Sequence, residues 1–157
     1  RVGVIPEPNL AFGLLTGVLN AARMLFSCLL STFSFGLFAF LVPFFAFAGV
    51  SYVSGALADA GGSWAALGPT SPLQFVLGYV LPHGLVELPA AILGAALGIR
   101  IGAAVMRPPS GFSVGQNILW ALAQFCKVWL LVVLPMFLVA GVLQQLVSTQ
   151  VIRALYG

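Results

Sequence analysis

The sequence predicts an all-α integral membrane protein with three principal transmembrane helices plus shorter interfacial or broken helices. Composition is the first reason: 61% of the 157 residues are hydrophobic, 6% are charged, and the mean hydropathy is +1.13. Soluble domains are about a quarter charged, so these residues cannot build a water-facing shell. The second reason is the length of the apolar runs, which suit helices that satisfy their own backbone in lipid. The third is the lack of the period-2 alternation that marks a membrane barrel. A single transmembrane domain over 1–157 follows, with no stretch left for a soluble one.

Residues 1–8 carry Pro6 and Pro8 and read as an irregular lead-in rather than a signal peptide. The chain starts at Arg1 rather than Met, so a trimmed N-terminus is expected. Residues 9–22 are apolar but shorter than the roughly 20 residues a crossing needs, which suggests an interfacial helix ending near Asn20 and Arg23. Residues 24–57 form an apolar run of about 34 residues, some 50 Å as one straight helix against a core of about 30 Å. Pro43 and Gly49 mark the expected break, giving a span over 24–45 and a short piece over 46–58. The cluster from Phe33 to Phe47 suits lipid contact or core packing, not a cofactor.

Residues 59–72, rich in Gly, Pro and Ser, are the clearest loop, with Trp64 as an interface anchor. Residues 73–106 repeat the excess length. Pro82, Gly84 and Pro89 predict a discontinuous helix at the PHGxxELP motif: a half-helix over 73–81, then a span over 83–106. After a second loop at 107–117, the last span covers 118–147, with a kink expected at Pro135. The distribution of Arg23, Arg100, Arg107 and Lys127 puts the N-terminal side and loop 107–117 in the cytoplasm, and loop 59–72 outside.

His83 and Glu87 carry the main chemical signal. They are the only histidine and one of three acids, set four residues apart on one helix face within an apolar stretch. Ionisable groups at membrane depth are costly and face a cavity, a partner helix or one another. Three readings follow: a proton relay, half of a metal site, or a polar clasp. The metal reading is the weakest, because HGLVE is not HExxH and no second cluster supplies ligands; no metal and no cofactor are expected. Arg100 is badly placed for Glu87, thirteen positions on, about 20 Å along the axis and about 220° around it. A counter-charge must come from another helix or from water. Asn20, Tyr52, Lys127 and Gln144 are further candidate polar partners, with Ser51 and Ser54 near the same outer end as Tyr52.

Ala90, Gly94, Gly98 and Gly102 recur every fourth residue and allow another helix backbone to approach closely. Packing within the chain and an interface with a partner or second copy both fit. Gly13 and Gly17 are a weaker example. Cys28 and Cys126 lack CxxC spacing and read as membrane thiols. A net charge of +3 without a basic run does not point to nucleic acid. No nucleophile elbow, phosphate loop or paired carboxylates occur, so the chain is not expected to be an enzyme. Intramembrane hydrolysis is disfavoured for want of a nucleophile–base set.

The segment LPHGLVELPAAILGAALGIRIG resembles the signature of the stage II sporulation protein M family, small helical membrane proteins of bacteria and archaea. Pro82, His83, Gly84, Glu87, Leu88, Pro89, Ala90 and Arg100 carry the resemblance. Asn20 and the segment VLQQLVST are weaker landmarks. Gln144 stands where the family often carries an acid in the last span, which counts against any mechanism needing a second buried carboxylate. The resemblance implies a membrane anchor for peptidoglycan-degrading partners that is not itself a hydrolase. The expected function is therefore a non-enzymatic scaffold in a cell-envelope complex of a bacterial or archaeal plasma membrane. It would bind the lipid bilayer, membrane protein partners or a second copy. The alternative is a transporter of protons, ions or a small solute through the His83–Glu87 pair.

Overall fold

The computed structural model describes residues 7–31, 33–59, 72–106 and 108–156, and among these every regular element is helical. Helix α1 (Leu10–Leu30) is capped by Asn9, whose side chain accepts from the N–H groups of Ala11 and Phe12 at 2.9 and 3.2 Å. Its buried positions are Gly13, Gly17, Ala21, Met24, Ser27 and Cys28, one stripe at helical spacing. At 21 residues it is long and apolar enough to cross a bilayer. The chain then reverses through Phe35 and Gly36, both at positive φ (51° and 96°), and a 3-10 turn over Leu37–Phe40 leads into α2 (Leu41–Asp59).

These boundaries correct the expected break. The first span is 10–30, not 24–45, and residues 9–22 are its first two-thirds rather than an interfacial piece. Gly36 supplies the left-handed conformation a reversal needs. Pro43 falls in the first turn of α2, near the start of the helical segment, and does not break it. Gly49 lies within α2 and breaks nothing.

Helix α3 (Pro72–Phe75) runs through a π turn (Val76–Val80) into α4 (Leu81–Met106) as one continuous rod. The helix is therefore not interrupted at Pro82, Gly84 or Pro89, contrary to the sequence expectation. At Pro82 the π turn explains why. Leu81 donates its N–H to the carbonyl of Val76, five residues back. That shift of register just before Pro82 absorbs the lost donor and the ring clash that proline brings to a regular helix. The same solution recurs in the last rod, α5 (Val114–Val128), α6 (Leu134–Leu143) and α7 (Thr149–Tyr156). There a π turn over Trp129–Val133 precedes Pro135, with Leu134 donating to Trp129. A further π turn, Gln144–Ser148, joins α6 to α7. The last rod thus extends well beyond 118–147 at both ends. A capping box, Ser113 with Gln116, fixes its start.

Contacts set the topology. Gly13 and Gly17 lie against Gly141 and Phe137, so α1 and α6 are antiparallel. Gly94 and Gly98 lie against Met24 and Cys28, so α1 and α4 are parallel. The chain between two parallel helices must return, and α2 does this, touching α4, α1 and α3. Among the described residues the bundle thus consists of three long apolar helices and the returning α2. The start of α1 and the α4–α5 connection therefore lie at opposite ends of the bundle. The expectation that put both on one side does not hold, because α1 and α4 run parallel.

The interior is built of small residues around Met24, Ile101, Phe125, Val133 and Phe137. The outer surface carries Phe26, Phe44, Phe45, Phe47, Leu130 and Leu131, all exposed, as a lipid-facing shell requires. The Ala90–Gly102 stripe is covered within the chain. Met24 lies over Gly94, Cys28 and Ala39 over Gly98, and the backbone of Ser31 and Phe35 over Gly102. A Cβ on Gly102 would stand 2.6 Å from the Phe35 carbonyl carbon and 2.8 Å from the Ser31 oxygen.

Replacing Gly102 by Ala should therefore destabilise the bundle by about 1–3 kcal/mol, the usual cost of overpacking. Gly49→Ala, where nothing lies within 4 Å, should be neutral or slightly stabilising. Thermal unfolding in detergent distinguishes the two, and equal effects would show that backbone approach at Gly102 does not matter.

A buried polar clasp across three helices

Tyr79, His83 and Glu87 follow one another at four-residue intervals on a single face of the α3–α4 rod. That face meets α1 on one side and the π turn Gln144–Ser148 on the other. Asn20, near the middle of α1, donates its amide N–H to Glu87 Oε1 at 2.9 Å. Arg23 Nη1 in turn donates to Asn20 Oδ1 at 3.3 Å. The carboxyl group is thus linked to a cation through an amide, on a helix parallel to its own. This supplies the counter-charge that the sequence could not locate.

His83 is 7% exposed. Its Nδ1 lies 3.1 Å from the hydroxyl of Ser148, which is completely buried. Its Nε2 lies 3.9 Å from Glu87 Oε2, within ion-pair range but too long for a hydrogen bond. The Tyr79 ring packs edge-on against the imidazole, centroids 5.5 Å apart. Gln144 donates its amide N–H to the Tyr79 hydroxyl at 3.1 Å. Three rods therefore meet through a nearly continuous chain of polar side chains. The Gln144 Oε1 atom is buried without a partner, as is Trp129 Nε1 deeper in the same rod.

Of the residues singled out from the sequence, Asn20, His83, Glu87 and Gln144 come together here. Tyr52 does not: it is 78% exposed on α2, and Ser51 is exposed beside it. Arg100 stacks its guanidinium on Trp120, 4.6 Å from the ring centroid, nearer the other end of the bundle. Lys127 is exposed on α5. Pro82, Gly84 and Pro89 act on the rod around the cluster rather than in it. Ala90, Gly94, Gly98 and Gly102 carry the same face onward against α1 and the turn after it.

Three participants were not singled out as partners: Tyr79, Arg23 and Ser148. Tyr79 was legible, one turn before His83 on the same face. Arg23 was legible as the i+3 neighbour of Asn20. Ser148 was not, because only the fold brings it to a residue 65 positions away.

Ser148 and His83 also form the nucleophile–base contact that the sequence does not show. The hydroxyl is fully buried, and the carboxylate faces the imidazole at 3.9 Å. Among the described residues no group of three or more His, Cys, Asp or Glu could hold a metal ion.

Three long apolar helices tied together by buried polar side chains define a multi-pass helical membrane protein. The family model described as Stage II sporulation protein M matches residues 6–149, nearly the whole chain, and the protein belongs to that family. No curated protein and no solved structure matches this chain.

Asn20→Ala removes the only hydrogen bond to the Glu87 carboxyl among the described residues and should cost about 1–3 kcal/mol, since an unmet group in lipid has no water to turn to. Ser148→Ala, which leaves His83 its other contacts, should cost about 0.5–1.5 kcal/mol. Melting temperatures in detergent give the order, and the reverse order would contradict the central place given to the Asn20–Glu87 bond.

Proposed function

We propose that the protein is a non-enzymatic membrane subunit that holds partner membrane proteins, or a second copy of itself, in a cell-envelope complex. The observation that carries this reading is the closure of the polar cluster. Most of its groups are paired with one another across α1, the α3–α4 rod and the last rod, which fixes helix geometry. Membership of the Stage II sporulation protein M family agrees with such a role. The small-residue stripe is used inside the chain, so a partner would dock on the outward faces, where α2 and the last rod present large apolar side chains. The setting proposed is the plasma membrane of a bacterium or archaeon.

Native mass spectrometry of the chain extracted in its own lipid should give a complex of defined stoichiometry. A strictly monomeric, partnerless chain under those conditions would overturn the proposal.

Transport through His83 and Glu87 would require a water path beside them, whereas both are held by neighbouring helices. Proteoliposomes should therefore show no proton or ion flux above that of empty vesicles, with Glu87→Gln giving the same value. A flux abolished by Glu87→Gln would replace the scaffold reading with a transport one.

A further inference from the structure

Arg100 and Trp120 form a second polar feature that the clasp does not use. They line a shallow recess of about 180 Å³ between α4 and α5, with Ala103, Ala104, Asn117 and Ala121 as its other walls. The recess lies close to the helix ends. Arg100 is six residues before Met106, and Trp120 is six residues after Val114, each about 9 Å in from the terminus. Asn117 closes the floor by donating its amide to the Ala104 carbonyl at 2.9 Å. The alanines keep the groove open where larger side chains would fill it.

The arginine is arranged as a receptor. Its face is covered by the indole, 4.6 Å from the centroid, which holds the long side chain in one place. Stacking uses the face of a guanidinium and leaves its edge N–H donors free. No carboxylate among the described residues pairs with Arg100, and the side chain is exposed. An unpaired cation beside an exposed tryptophan, about 9 Å inside the end of a membrane helix, meets the headgroup layer by reaching outward.

We propose that this recess binds a phosphate-bearing anion, supplied in the membrane by the headgroup of an anionic phospholipid. The edge of the Arg100 guanidinium donates to the phosphate oxygens. The alanine-lined groove takes the first part of an acyl chain, and Trp120 sits at the boundary between the two. Basic pockets between membrane helices recognise anionic headgroups by this chemistry. The site shares no residue with the polar clasp.

The test is native mass spectrometry of the intact chain with added phosphatidylglycerol or phosphatidylcholine. Wild-type protein should retain phosphatidylglycerol in preference. Arg100→Gln should lower that preference about fivefold, the effect of one basic group near the surface. Lys127→Gln, which removes an exposed charge elsewhere on α5, should leave it unchanged. Trp120→Leu keeps the charge and loses the stacking, and should reduce the preference less; it also decides the matter should Arg100→Gln fail to fold. Millimolar inorganic phosphate separates the sources. Failure to displace the lipid supports a headgroup, and displacement with phosphate itself bound supports the same site filled by free phosphate. Equal retention of both lipids by wild type, or an equal loss in Lys127→Gln and Arg100→Gln, would overturn the proposal.

Discussion

Everything in this fold rests on how closely α1 approaches its two neighbours. Lipid offers no hydrophobic drive for helices to associate, so packing and polar contacts must supply it. Glycine makes the approach possible on both sides. Against the last rod, a Cβ on Gly17 would stand 2.6 Å from the Phe137 carbonyl oxygen and 2.9 Å from the Leu138 Cα. Against α4, a Cβ on Gly98 would stand 3.2 Å from the Cys28 Cα, and one on Gly94 would meet the end of the Met24 side chain. Only at such separations does a side chain as short as asparagine reach from α1 to Glu87. The glycine contacts and the polar clasp are therefore one arrangement, the first setting the distance that the second needs.

The π turns add the second half of that arrangement. Two of them precede a Leu-Pro pair, at Pro82 and Pro135, and each lets a long helix run on where proline would break it. The third, Gln144–Ser148, precedes no proline. It carries the two side chains, Gln144 and Ser148, that face Tyr79 and His83. Wider turns of this kind often accompany functional positions. Here one presents polar groups from the last rod, and its partner across the interface, Val76–Val80, presents Tyr79.

Much of this was legible in the residues. The membrane class follows from composition, and the shared face of His83 and Glu87 from four-residue spacing. Gly94, Gly98 and Gly102 declared a seam, although not which helix filled it. What failed were the boundaries. Pro82 and Pro89 read as breaks because proline removes a donor; at Pro82 the repair lies in a π turn that no residue type announces, and Pro89 is carried within the regular helix. Asn20 read as the end of a helix because an amide in lipid is costly; Glu87, 67 positions away, removes that cost. Pro43 read as a break for want of the true one, the reversal at Phe35 and Gly36. In each case a long-range contact or a change of helical register overrode a local rule.

The energetic scale of the clasp explains what it is for. Interhelical hydrogen bonds in membranes contribute about 0.6–2 kcal/mol each, too little for one of them to hold a bundle together. Their effect on alternatives is larger. Sliding α1 by one turn, about 5.4 Å, would part Asn20 from Glu87 and strand a carboxyl group and an amide where no water replaces the lost partners. Where the slide carries Ala21 into the place of Gly17, it also brings a Cβ against the Phe137 backbone. Polar pairing and glycine contacts thus penalise the same displacement for unrelated reasons. Such a bundle keeps one register, and a fixed outer surface is what a subunit needs if another membrane protein is to recognise it.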